Sequence, residues 1–194
     1  EARKECRTSD APGPGVSWWH TIEDTFDKID FDGLMRDGEV VRSLLEGLLT
    51  NAALPVDFEG YFHTWNRYLE PLKASEEYRM AIEEIQSLFE TVMTRCQELD
   101  TPVISEAHLM EHNRLCRLVG GVLGRLMHSS GSAYEQDTSF AYGPLQLLAA
   151  SAKADRQNSP ADWHLFYHTT FIRQRNRMVT ELRKLLDRLD QEFL

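Results

Sequence analysis

Apolar residues recur at steps of three and four along most of this chain, the spacing that gathers them on one side of an α-helix. Trp18, Trp19, Ile22, Phe26 and Ile29 follow it and predict a first helix, with Ser17 placed as its N-cap. After an Asp/Gly-rich turn, Val40, Val41, Leu44, Leu45, Leu48 and Leu49 predict a second. Asp57 is placed to cap a third, whose Phe58, Tyr61, Phe62, Trp65, Tyr68 and Leu69 form an aromatic face. A fourth begins after Ser75 and carries Tyr78, Ile82, Ile85, Leu88, Phe89, Val92, Cys96 and Leu99, until Asp100-Thr101-Pro102 stops it.

Ser105 is placed to cap a fifth helix running through Leu115, Val119, Val122 and Leu126 toward Met127. Gly120, Gly121 and Gly124 within it each cost about 1 kcal/mol relative to Ala, which predicts that another backbone approaches there. Residues 129–142 read as a connection, and Pro144 as the start of a short sixth helix through Leu145, Leu147 and Leu148. Ser159-Pro160-Ala161-Asp162 combines a capping serine, a proline at the first helical position and an acid in the first turn. From there the stripe His164, His168, Phe171, Arg175, Met178, Leu182, Leu185 and Leu189 continues toward Leu194 without a stop signal.

No run of useful length alternates as a strand would. The expectation is an all-α fold, a single helical bundle of about five to seven helices over residues 17–194 with a long C-terminal helix. Residues 1–16, which include Ala11-Pro12-Gly13-Pro14-Gly15, are expected to form a flexible arm.

Composition narrows the classes. A chain of 194 residues with 42% hydrophobic and 27% charged residues can bury a core, and charges interrupt every apolar run well short of the roughly 18 residues a membrane span requires. The net charge of −10 is uneven: residues 17–60 hold ten acids against three bases, and residues 160–194 five against six. Such a chain repels phosphate backbones, so general nucleic-acid binding is not expected. Arg173, Arg175 and Arg177 diverge around their helix and read as solvated surface, as do the paired acids Glu76-Glu77 and Glu83-Glu84.

Cys96 and Cys116 sit among apolar residues and Cys6 lies in the arm, a distribution that predicts buried free thiols and an intracellular, cytoplasmic protein. A secreted protein with a Cys96–Cys116 bridge is the alternative. Because the chain starts at Glu1 without a leader pattern, it is expected to be processed or part of something longer.

Three constellations are candidates for chemistry. His108/His112 and His164/His168 are pairs four apart on the apolar stripes of two helices, each able to present two imidazoles to one point. Were the two helices parallel, four nitrogens would converge on a transition metal or supply axial ligands to a haem, with His20 or His63 as added ligands. Antiparallel packing would put the pairs at opposite ends. Between Lys28 and Glu39, a calcium-loop register anchored on Gly33 puts Asp30 third, Asp32 fifth and Glu39 twelfth, but Lys28 falls where the first ligating acid belongs. The null alternative is an acidic turn, and calcium is disfavoured.

The third is aromatic: adjacent Trp18 and Trp19 point about 100° apart on a helix, so one is free to anchor a partner. No nucleophile elbow or phosphate loop accompanies these residues. The expected function is therefore a non-catalytic protein–protein interaction domain, a scaffold, adaptor or regulator. It would bind another protein or a second copy of itself, for which an exposed part of the last helix's stripe is one route. The alternatives are a metal- or haem-binding bundle and a carrier of a lipid or small apolar ligand.

Overall fold

A computed structural model describes residues 21–23, 25–100, 103–131, 134, 145–154 and 160–193. Ser17, Trp18, Trp19, His20, Cys6, Pro144, Ser159 and the predicted arm lie outside them. Among the described residues there are six α-helices, two 3-10 helices and no strand, so the fold is all-α. The chain divides into two compact units, Glu1–Ala52 and Ala53–Leu194.

In the first unit a 3-10 turn, Phe26–Lys28, precedes helix α1, Phe31–Thr50. This departs from the predicted boundaries, because α1 starts nine residues before Val40 and takes in the Asp/Gly-rich segment. Asp30 explains the early start: its carboxylate accepts the Gly33 N–H at 3.0 Å and so caps the helix. Arg42 then bridges Glu39 at 2.9 Å and Glu46 at 2.8 Å on the polar side.

The second unit holds α2 (Phe58–Leu69), a 3-10 turn (Glu70–Ala74), α3 (Arg79–Leu99), α4 (Glu106–His128), α5 (Gln146–Lys153) and α6 (Ala161–Phe193). Asp57 caps α2 as Asp30 caps α1, accepting from Gly60 N–H at 2.9 Å, and Ser105 Oγ accepts from His108 N–H at 3.2 Å to cap α4. Helix α6 has 33 residues, so it runs about 50 Å at 1.5 Å per residue. Its stripe enters the core, with Phe171, Met178, Leu182, Leu185 and Leu189 all buried. Trp163, Leu165 and Phe166, near the start of the same helix, are exposed.

Opposite it, α3 contributes Ile82, Ile85, Phe89, Val92 and Cys96 to the same core. Trp65 stacks on Phe89 with centroids 4.4 Å apart, and Tyr78 stacks on Phe171 at 3.9 Å. Helices α3 and α6 run parallel: Glu77 meets His164, Glu84 meets Arg175 and Arg183, and Arg95 meets Asp190 at 3.0 Å. Helix α4 opposes α6, since Arg114 meets Glu192 at 2.8 Å near one end and Gln174 donates to the Ser130 carbonyl at 3.0 Å at the other.

Two local readings change. A Cβ added at Gly120, Gly121 or Gly124 would meet nothing within 4 Å among the described residues, none of whose backbone packs on these glycines. Arg175 and Arg177 are not free surface charges either; Arg175 pairs with Glu84, and Arg177 donates to the carbonyls of Ser129 and Gly131. Helix α5 starts at Gln146 behind Leu145, which is left-handed with φ 55°. A buried side chain and an N–H···O bond of 2.8 Å to Met127 hold that residue in a conformation disfavoured by roughly 1–2 kcal/mol.

Candidate functional site

The antiparallel course of α4 and α6 separates the histidine pairs. His164 and His168 open α6, whereas His108 and His112 open α4 at the end where α6 finishes, roughly 40 Å along the bundle. Four nitrogens do not converge on one ion, and each pair has its own surroundings.

At the α6 end, the turn before α3 brings Glu77 beneath the pair. His164 Nε2 lies 2.9 and 3.1 Å from the two Glu77 carboxylate oxygens, and His168 Nδ1 lies 3.2 Å from Oε1. The Tyr78 hydroxyl is 3.3 Å from the same His168 nitrogen, and Tyr78 also stacks on Phe171. His164 is buried, with its side chain 7% exposed, against 42% for His168 and 23% for Glu77. The acid expected on an exposed face therefore joins both imidazoles. One donor atom from each of the three residues lies within 4.8 Å of the other two.

At the α4 end, His112 Nδ1 is 2.8 Å from Asp100 Oδ1, while Nε2 is 3.0 Å from the Leu54 carbonyl and 3.4 Å from Cys116 Sγ. Burial alone would lower the His112 pKa. The Leu54 carbonyl and the Asp100 carboxylate, which both accept from the protonated ring, outweigh it and hold the value above the ordinary one.

A line of Asp, His and Cys resembles a nucleophile relay in outline. Its chemistry is wrong for one. Burial, followed by the Asp100 charge, pushes the Cys116 thiol up, and Cys96 beside it is pushed up to about 12 by the same causes. Both cysteines are free and buried, and the Leu54 carbonyl lies closer to His112 Nε2 than the Cys116 sulfur does. His108 does not join this cluster; its Nδ1 is buried without a hydrogen-bond partner among the described residues.

The calcium register fails on geometry. Residues Phe31 to Glu39 are helix and not loop, Asp30 is occupied as a cap, and Glu39 pairs with Arg42. Asp32 and Glu39 are separated by about 10 Å along the axis at 1.5 Å per residue, so the three carboxylates cannot surround one ion. Trp18 and Trp19 lie outside the described residues.

Helix α1 carries an exposed apolar stripe. Leu34, Val41, Leu44, Leu45 and Leu48 share one side of it and are 45% to 62% exposed, and Leu49 reaches 83%. Gly33 is its only buried residue. No helix of the described residues is long and apolar enough to cross a membrane. Two depressions in the second unit, of about 330 and 410 Å³, are rimmed by Arg177 and Arg125 and by Arg114, Arg117 and Arg188 respectively. No family model, curated protein or solved structure matches the chain, so function is argued from this geometry.

Proposed function

We propose that this chain is a non-catalytic interaction module that offers α1 to the surface of another protein. The observation that supports the reading most directly is the solvent exposure, among the described residues, of the stripe Leu34, Val41, Leu44, Leu45 and Leu48. A lone helix of this length is marginal in water, and most helices draw their stability from a covered apolar face. Covering one such leucine contributes roughly 1.5–3 kcal/mol.

The chemistry of the complement follows from α1 itself. Its 20 residues carry Asp32, Asp37, Glu39 and Glu46 against Arg36 and Arg42, so the fitting partner surface is an apolar groove about 30 Å long with basic groups on its rim. The buried, neutral thiols at the other candidate cluster favour binding over catalysis.

Replacing Leu44 and Leu48 together by Asp tests this. Both are exposed, so the melting temperature of the Ala53–Leu194 unit is expected to stay within about 1–2 °C. Cross-linking in cells of origin, followed by binding of the identified partner in purified form, is expected to give a complex through α1 that weakens with salt and is lost in the double variant. A dimer in sedimentation that the same substitutions dissolve would assign the groove to a second copy. Cross-links that survive both substitutions unchanged would remove α1 as the docking element.

A further inference from the structure

We infer that Glu77, His164 and His168 form a binding site for one divalent transition-metal ion of the zinc class. The site is independent of the α1 reading and stands or falls alone. Two imidazoles one helical turn apart and one carboxylate from a neighbouring element make a nitrogen-rich, three-ligand set. That set suits zinc or cobalt and disfavours calcium and magnesium, which take oxygen ligands.

The geometry is close to loaded. Ligand bonds of about 2.0–2.2 Å in a tetrahedron place donor atoms roughly 3.2–3.6 Å apart. Here His164 Nε2 is 2.9 Å and His168 Nδ1 3.2 Å from Glu77 Oε1. Those separations belong to hydrogen-bonded contacts, and with all three donors within 4.8 Å of one another an ion fits once they adjust to the tetrahedral spacing.

The surroundings orient the set. Helix α6 fixes the spacing of the two rings, whose centroids are 5.7 Å apart, and burial of His164 holds its ring against Glu77. The stack of Tyr78 on Phe171 holds its hydroxyl 3.3 Å from His168 Nδ1, a contact that the ion would displace. His168 and Glu77 keep solvent access, so a water or a partner's side chain can complete the coordination as a fourth ligand.

Tag-free protein titrated with zinc chloride in a calorimeter is expected to take up one ion per chain. The melting temperature should rise by roughly 5–10 °C at a hundred-fold excess over the dissociation constant, and cobalt should give the visible bands of a tetrahedral site. Glu77→Gln and His168→Gln, both at partly exposed positions, should each weaken uptake at least about a hundred-fold with the helical circular dichroism unchanged. His63→Gln, at an exposed histidine of α2, should change nothing. Absence of stoichiometric uptake, or uptake that survives both the Glu77 and the His168 substitution, would overturn the site and leave the cluster as a purely structural clamp.

Discussion

The two histidine pairs share their spacing and their place in the opening turns of a long helix, yet they end in different chemistry. His164 and His168 meet around one carboxylate, while His112 is engaged by Asp100 and the Leu54 carbonyl and His108 is left aside. Helix α3 accounts for much of the difference. It runs parallel to α6 and follows α2 through a short turn, so Glu77 just before it lies under the α6 pair and Asp100 just after it lies by α4. A pair four apart supplies two nitrogens; which third group arrives, and from which side, is a matter of helix direction.

The largest effect that would sharpen this contrast is expected at His164. His164→Leu keeps most of the side-chain volume but removes a buried imidazole that meets Glu77 at 2.9 Å, and should destabilise the metal-free protein by about 1–3 kcal/mol. Urea denaturation midpoints with an unchanged slope would measure it. If the loss is no greater than for a substitution at exposed His63, the two ends are equivalent and the contrast fails.

A smaller, pH-dependent effect separates the other pair. The folded pKa of His112 is raised, so the stability it contributes is fully present below the unfolded value of about 6.5 and is lost as pH rises through the folded value. The stability gap between the wild type and His112→Gln should therefore be wider at pH 6 than at pH 9. A gap that stays constant or widens with pH would mean that Asp100 and Leu54 do not favour the charged ring.

How far these features were legible depends on which contacts are local. The stripes of α2, α3, α4 and α6 set their identity as helices, and Asp57 and Ser105 marked two starts correctly, because period and caps act within a few residues. Asp30-Phe31-Asp32-Gly33 carries the same cap signal as Asp57-Phe58-Glu59-Gly60, and the same carboxylates also fit the spacing of a calcium loop. The stripes of α1 and α6 look alike in sequence, yet Leu44 is 62% exposed and Leu182 is 0% exposed. Amphipathicity announces that a face is meant to be covered without naming the cover. Glu77 and Asp100 were missed because their partners lie 87 and 12 positions away, and direction between helices leaves no local trace. Gly120, Gly121 and Gly124 misled for the opposite reason: a missing side chain is compatible with a close neighbour and equally with open space.

The smallest expected effect lies at His108, and its sign is what matters. Its backbone N–H donates to Ser105 Oγ at 3.2 Å and caps α4 whatever the side chain is. The imidazole Nδ1 is buried with no partner among the described residues, an arrangement that usually subtracts from stability because the lost hydration is not replaced. His108→Leu removes that atom, keeps an apolar body and carries a better helix propensity, so stability should be unchanged or rise by up to about 1 kcal/mol. His112→Leu, four residues on, removes the partner of both Asp100 and the Leu54 carbonyl and should lower it. Equal losses at the two positions in paired urea titrations would show that His108 has a partner in solution, and the division of labour within this pair would have to be redrawn.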